Sequence, residues 1–272
     1  MGTAWSTMQV FVLIMISKNK IKYIHSLENK KGRDSQGMFV AEGPKVVADI
    51  LALHKEKLRM LVGTKEWLDN NMKLIPKNEG CEIVEVTNEE LSKTSLLCHP
   101  QQVLAVFEKL NTQIDINDIA KKLTLVTDGV QDPGNLGTII RIADWFGIEN
   151  IICSTDTVDV YNPKVVQATM GSLARMNITY MDMEKLFAIV PSDLPVYGTL
   201  LEGKNIYEQP LTDNGLIIMG NEGKGLSALS RSKITRAIRI PNYPEGRETA
   251  DSLNVAVATA IVAAEFRRSI KY

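Results

Sequence analysis

The chain of 272 residues is long enough for two ordinary domains, and a composition of 44% hydrophobic and 23% charged residues excludes disorder for most of it. A net charge of −1 excludes a surface that is basic overall, so any anionic partner has to be met by a local patch. Three cysteines and three histidines, all far apart, favour neither disulfides nor a metal site, and they fit a reducing compartment such as the cytoplasm.

The N-terminus holds an apolar run over residues 8–16. This run is too short to cross a bilayer and lacks the basic start and cleavage site of a signal peptide. Met15 opens a stretch that is typical of a natural start. We therefore predict that residues 1–15 are an extension and that the protein has no membrane partner.

Residues 17–33 carry six basic side chains against one acid, Glu28. Such a segment is typical either of a solvated helix face or of a patch that follows nucleic-acid phosphates. The candidate phosphate contacts are Lys18, Lys20, Lys22, Lys30, Lys31 and Arg33.

From residue 39 the pattern predicts strands and helices, and a small α/β domain is expected over residues 16–112. "FVAEGPKVVADIL" predicts a strand, a turn and a helix with Pro44 in its first turn. Three more strands are predicted in "LRMLVGT", "CEIVEVT" and "VLAVFEKL". The polar stretch 111–122 is predicted to be a linker.

The second half, residues 120–272, alternates strands with helices, which predicts a parallel sheet covered by helices on both faces. The strands are expected in "LTLVTD", "NIICS", "NITYM", "VYGTLL", "GLIIMG" and "AIRIP". Ligands of such sheets bind in the loops at the carboxyl ends of the strands. Three unusual stretches lie at such places.

The first stretch is "DGVQDPGNLGTIIRIADWFG". It predicts a helix that starts near Asn135 or Leu136, with Asn135 as its N-cap. Arg141 is then either a surface residue that pairs with Asp144 or a functional group. A P-loop is disfavoured because no Lys-Ser/Thr follows the glycines.

The second stretch is "LIIMGNEGKGLS", whose glycines allow the backbone to approach a ligand, and Glu222 in it is either a turn acid or a functional group. The third is "IRIPNYPEGRETADSLNVAVATAI", with a helix that opens at Ser252, capped by Ser252 or Asp251. That helix is apolar nearly all round, which predicts burial on every side and a place in a subunit interface.

In this order, the three stretches resemble the three motifs of SpoU/TrmH-type RNA 2′-O-methyltransferases of the SPOUT superfamily. "YNPKVVQATMGSLARM" resembles the segment between the first two motifs, and "FVAEGPKVVADIL" is similar to the start of the substrate-binding domain of many members. The resemblance covers residues 39–272. It departs from the family between Pro241 and Ser252, where a charged loop is longer than the usual spacing.

The resemblance implies an α/β fold in which a parallel-sheet domain with a deep trefoil knot follows a small α/β substrate-binding domain. It implies S-adenosylmethionine as cofactor and methyl transfer to a ribose 2′-hydroxyl of ribosomal or transfer RNA, by a homodimer that does not act on DNA. The implied catalytic residues are Asn135, Arg141, Glu222, Ser252 and Asn254. The implied cofactor contacts are the backbone groups of Leu200, Gly220, Ile240 and Leu253.

Two other functions compete with this interpretation. An RNA-binding assembly factor of the same fold would keep the domains without catalysis, but the presence of all five polar motif residues favours an enzyme. A P-loop NTPase is disfavoured by the missing lysine.

Overall fold

The structure is a computed structural model that describes residues 12–13, 15–76, 80–110, 112, 114–244 and 247–269. The chain divides into two compact units. One consists of Met1–Asn111 with Asp159–Ala174, and the other of Thr112–Val158 with Arg175–Tyr272. In the part of the chain that is described, none of the helices combines the length and hydrophobicity of a membrane span.

The first unit contains a mixed sheet in the order β1-β4-β3-β5-β2. β1 and β3 run parallel to β4, whereas β5 is antiparallel to β2 and β3. The strands are β1 (Val12–Leu13), β2 (Met38–Glu42), β3 (Leu58–Gly63), β4 (Glu82–Glu85) and β5 (Val103–Glu108). Most of the predicted extension, residues 1–15, lies outside the described residues, but its residues Val12–Leu13 pair with β4.

Five helices of this unit lie between its strands and follow local start signals. Pro44 is at the first position of its helix, as predicted, and Thr87 and Glu90 form a reciprocal capping box. Buried aliphatic side chains of the sheet and the first helix form the core. The helices are α1 (Lys18–Ser26), α2 (Lys30–Gln36), α3 (Pro44–His54), α4 (Lys65–Asn70) and α5 (Asn88–Thr94).

The second unit contains a six-stranded sheet in the order β11-β9-β10-β6-β7-β8. Every neighbouring pair is parallel, which confirms the predicted parallel sheet. The strands are β6 (Leu123–Asp128), β7 (Asn150–Cys153), β8 (Asn177–Tyr180), β9 (Val196–Asn205), β10 (Gly215–Gly220) and β11 (Arg236–Arg239).

The further helices are α6 (Ile116–Lys121), α7 (Pro133–Trp145), α8 (Pro163–Ala168), α9 (Met183–Ile189), α10 (Ala228–Lys233) and α11 (Val255–Ser269). Helix α6 precedes β6, and α8 belongs to the first unit. α7 and α11 pack against each other within the second unit.

The predicted linker at residues 111–122 is wrong for its second half. Residues 116–121 form α6, whose N-cap Asp115 accepts a hydrogen bond from the backbone of Asn117. Thr112 donates its hydroxyl to the Ile178 carbonyl at 2.8 Å. Thr112 and residues 114–122 therefore belong to the second unit.

The resemblance places residues 161–176 between the first two motifs, and most of them lie in the segment Asp159–Ala174 of the first unit. Arg33 is only 2% exposed, and its guanidinium binds Asp159 at 2.6 Å and also the Leu27 and Glu28 carbonyls. The rings of Tyr161 and Phe39 lie 4.8 Å apart. A fully satisfied buried ion pair and an aromatic contact thus integrate this segment into the first unit.

Candidate active site

Helix α7 begins earlier than predicted, and Asn135 is not its N-cap. Asp132 holds that position, and its carboxylate accepts from the Asn135 backbone at 2.8 Å, with Pro133 first in the helix. Asn135 therefore lies in the first turn, and its side chain is available for contacts with other loops.

The Asn135 side chain joins the three sequence motifs. Its Nδ2 donates to Glu222 Oε1 at 2.7 Å, and its Oδ1 accepts from Asn254 Nδ2 at 2.9 Å. The partners lie 87 and 119 residues away along the chain. The carboxylate fixes the orientation of the Asn135 amide, because only the NH₂ group can donate to it.

Helix α11 begins at Val255, not at Ser252. Asn254 caps it, since Asn254 Oδ1 accepts from the backbone of Ala256 at 2.9 Å and of Val257 at 3.2 Å. One side chain thus caps a helix with its oxygen and binds Asn135 with its nitrogen. Ser252 is exposed, two residues before this junction.

Asn221, which the sequence analysis did not single out, ties two of the loops together. Its Nδ2 donates to the Gly129 carbonyl at 2.7 Å, while its Oδ1 accepts from the backbones of Gly223 and Lys224 at 2.9 and 3.0 Å. The sequence could have indicated this role, because Asn221 directly precedes Glu222 in a glycine-rich turn. In such turns the side chain of an asparagine often binds the backbone two residues further along the chain.

A second set of hydrogen bonds holds the loop that follows β6. Asp128, 6% exposed at the end of β6, accepts from the backbone of Ser227 at 2.8 Å. Ser154 accepts from the Gly129 backbone and donates to Asp156. The loop that precedes Asn135 is therefore held from both sides.

Arg141 lies on α7 but away from these contacts. The predicted pairing with Asp144 is wrong, because Asp144 binds Arg175 at 2.7 Å. The Arg141 side chain is exposed and forms no ion pair or hydrogen bond with another described residue. Six residues after Asn135, it points about 120° away from it at 3.6 residues per turn.

The strands that carry the predicted cofactor positions are neighbours, because β9 lies between β10 and β11. Pairing of β9 with β10 ends at Gly198, and the pairing with β11 jumps from Gly198 to Lys204. The residues in between, which include Leu200, have no register partner on β11, and Leu201 is 71% exposed.

Gly220 is required by its own loop. A Cβ at this position would lie 2.6 Å from the Gly225 carbonyl carbon, because Asn221 and Gly225 exchange backbone hydrogen bonds. A Cβ at Gly223 would meet only Asn221 Oδ1, at 3.7 Å. Of the other predicted contacts, Ile240 directly follows β11 and is half-buried, and Leu253 is exposed.

The predicted basic patch loses one member, Arg33, and two others, Lys20 and Lys30, are paired with acids. Arg33 is wrong as a phosphate contact because it is buried on Asp159, and Lys20 is paired with Glu82. Lys30 binds Asp34, whose pKa falls to about 2 through the hydrogen bonds of Lys109 and Lys30. The members that remain exposed and without an ion pair to another described residue are Lys18, Lys22 and Lys31.

The last helix is buried only in part within the described residues of one chain. Val257 is exposed, and Ala258, Ala260 and Ile261 are half-buried. On α7, Trp145 is 84% exposed, four residues after Arg141. Within the described chain the two packed helices thus present apolar surface to solvent.

Residues 122–264 match the SpoU rRNA Methylase family, and residues 18–105 match the MRM3-like substrate binding domain. The chain belongs to the SpoU rRNA methylase family. The predicted family is thereby confirmed.

Known members of this family are similar over nearly the whole chain. The 23S rRNA (guanosine(2553)-2′-O)-methyltransferase RlmP of Bacillus subtilis is 33% identical over 91% of this chain and 96% of its own. An AdoMet-bound rRNA methyltransferase from Sinorhizobium meliloti has a TM-score of 0.83 at 31% identity, covering 97% and 100% of the two chains. A TrmH-family protein from Porphyromonas gingivalis has a TM-score of 0.80 at 38% identity, covering 93% and 99%. At the level of the SpoU family, these relatives confirm the predicted RNA methyltransferase and its cofactor.

Proposed function

We propose that this protein transfers the methyl group of S-adenosylmethionine to the 2′-hydroxyl of a nucleotide in ribosomal RNA. Transfer RNA is the alternative substrate. One observation carries the proposal. Side chains of three distant motifs, Asn135, Glu222 and Asn254, form one hydrogen-bonded chain beside the carboxyl ends of a parallel sheet.

The bound cofactor supplies a methyl group that is already activated on a sulfonium. The protein therefore has to align the ribose oxygen with that carbon and sulfur and to remove one proton. Alignment of this kind is worth about 7–11 kcal/mol of the barrier at best. The backbone at Leu200, Gly220, Ile240 and Leu253 would hold the cofactor, and the Asn135 group would fix the loops around it.

We assign Arg141 to the substrate. A guanidinium with a pKa above about 12 is a poor base. Its planar fork instead suits the phosphate next to the target ribose, and its charge stabilises the oxygen as negative charge develops there. The exposure of Arg141 and its lack of an ion pair among the described residues support this role.

The remaining parts follow the resemblance. Residues 16–112 would bind the RNA, residues 120–272 would form the knotted catalytic domain, and residues 1–15 would be an extension. Two chains would form a homodimer in the cytoplasm, and the exposed apolar residues of α7 and α11 support this proposal. Ser252, next to Leu253, would contribute to the same site.

Two measurements test the proposed function. Calorimetric titration with S-adenosylmethionine should show one site per chain, and tritium from labelled cofactor should pass to 23S rRNA transcribed in vitro, in a form that resists alkaline cleavage as a 2′-O-methyl group does. Binding of RNA without binding of cofactor would instead favour the inactive assembly factor. Transfer to a base, with the ribose unmodified, would contradict the assigned reaction.

A further inference from the structure

A surface cleft in the second unit lies next to the proposed cofactor site. One wall is formed by residues 203–205 and 207–209, at the end of β9 and around a one-turn helix, Ile206–Glu208. The other wall is formed by residues 239 and 241–243. Because Ile240 follows β11 and Leu200 precedes Gly203 on β9, the cleft begins where the proposed cofactor contacts end.

This cleft contains two exposed aromatic side chains. Tyr207 is 51% exposed and Tyr243 is 90% exposed, and both line the cleft. Stacking of a nucleic-acid base on an aromatic ring stabilises bound single strands with little dependence on sequence. Enzymes that modify single nucleotides in RNA also need a surface for unstacked bases, and aromatic rings provide it.

The polar lining fits RNA better than it fits a protein. Lys204 is exposed, and the amides of Gln209 and Asn242 lie in the same walls. The acid of the lining, Glu208, accepts a hydrogen bond from Asn205 at 2.8 Å. Lys204 is thus an exposed cation of this lining. Lysine and glutamate are depleted at the centres of protein interfaces, which argues against a second copy of the chain.

We propose that this cleft holds an unpaired base of the RNA substrate next to the methylated nucleotide, with the base stacked on the tyrosine rings and Lys204 beside its phosphate. This inference rests on the proposed function, and it assigns Tyr243 and Tyr207 to substrate selection.

Kinetic measurements with RNA test the proposal. Because Tyr243 is 90% exposed, removal of its ring leaves the packing of the core intact. Tyr243→Ala should raise KM for in-vitro-transcribed 23S rRNA about tenfold, which corresponds to about 1.4 kcal/mol. The value of kcat and the Kd of S-adenosylmethionine should stay within about twofold. Tyr243→Phe keeps the ring and should behave like the unmodified protein, whereas Tyr243→Leu should behave like the alanine variant. Tyr207→Ala should raise KM in the same direction.

A binding experiment separates this inference from the proposed function. A single-stranded RNA decamer with one 2-aminopurine should lose fluorescence on the wild-type protein through stacking, and Tyr243→Ala should abolish that loss. Methylation of 23S rRNA with the same KM in both proteins would overturn the inference and leave the proposed function standing. An equal fall in cofactor affinity would assign the cleft to the cofactor, and a change of oligomeric state in light scattering would assign it to a second copy. Quenching by the decamer without methylation of any RNA would keep the cleft and overturn the proposed function.

Discussion

Asn135 shows how one side chain in this protein depends on two others that are distant in the chain. Its NH₂ group donates to a carboxylate and its carbonyl oxygen accepts from Asn254, so the amide is held in one orientation. Hydrogen bonds to charged groups are worth about 1.5–3 kcal/mol, more than neutral ones. We therefore expect the bond to Glu222 to dominate.

Asn135→Ala should lower kcat about 10- to 100-fold, because without the hydrogen bonds of this side chain the loops of the active site lose their fixed positions. Asn135→Asp should be at least as harmful, since it places a second carboxylate against Glu222. Single-turnover methyl transfer gives the rate, and calorimetry gives the cofactor Kd, which should change little. Asn117→Ala, on the exposed surface of α6, is the control. A full rate in Asn135→Ala would exclude a role for this bond in catalysis.

Asn221 permits a sharper substitution. In Asn221→Asp the carboxylate still accepts from Gly223 and Lys224, but it cannot donate to the Gly129 carbonyl and leaves two acceptors face to face. A lost buried partner costs about 1–3 kcal/mol, so kcat should fall about tenfold or more. Asn221→Ala should fall further because it loses both sets of bonds. An aspartate variant with unchanged kcat would show that the loops keep their places without this bond.

At the scale of elements, the loop between β10 and α10 contains Gly220, which the fold requires, and Gly223, which only ligand binding should require. Gly220→Ala should lower Tm by several degrees, because the new Cβ collides with the Gly225 backbone and such conflicts cost about 1–3 kcal/mol. Gly223→Val should leave Tm nearly unchanged, since space is open there, and should weaken cofactor binding about tenfold. Thermal melts and calorimetry on both variants measure the two effects. Unaltered cofactor affinity in Gly223→Val would remove the tip of this loop from the cofactor site.

Helices α1 and α2 allow a test of RNA binding by charge. Replacing Lys18, Lys22 and Lys31 with alanine should reduce the log–log salt slope of RNA binding by about two to three units if each contacts a phosphate. The matched control removes three lysines that are already paired with acids, namely Lys65, Lys93 and Lys122. Fluorescence anisotropy at several salt concentrations measures both slopes. Equal slopes in the two triple variants would identify the segment as a solvated helix face.

At the scale of the whole molecule, we expect each active site to draw on two chains. Arg141 points away from Asn135, and the apolar surface of α7 and α11 needs a cover. Arg141 would then act on substrate bound beside the partner's Asn254. This arrangement makes a numerical prediction for mixed dimers.

Arg141→Ala and Asn254→Ala should each be inactive, and together they should restore about a quarter of the wild-type activity in the unfractionated mixture and about half of it in purified mixed dimers. Random pairing of equal amounts makes half of the dimers mixed, and in each of these one site is free of both lesions. The two chains are co-expressed with different tags, and tandem purification isolates the mixed dimers before methyl transfer is measured. Mixed dimers with no more activity than the single variants would place Arg141 in the site of its own chain.

The order and direction of the elements in the second half were predictable from the sequence alone. Alternating apolar strands and amphipathic helices are local patterns, and a parallel sheet brings the carboxyl ends of its strands to one edge, which located the three motifs. Pro44 at a helix start was predictable for the same reason, because proline acts within a single turn.

Only the tertiary structure decided which polar side chains meet. Asn135 and Ser252 are both good caps by type, yet Asp132 and Asn254 cap the helices, which leaves Asn135 to bind two partners from remote loops. Arg33 belongs to a basic run in sequence but is buried on Asp159, 126 residues away. Local propensity carries no information about such distant partners, and a buried charge or amide is stable only where the fold supplies them.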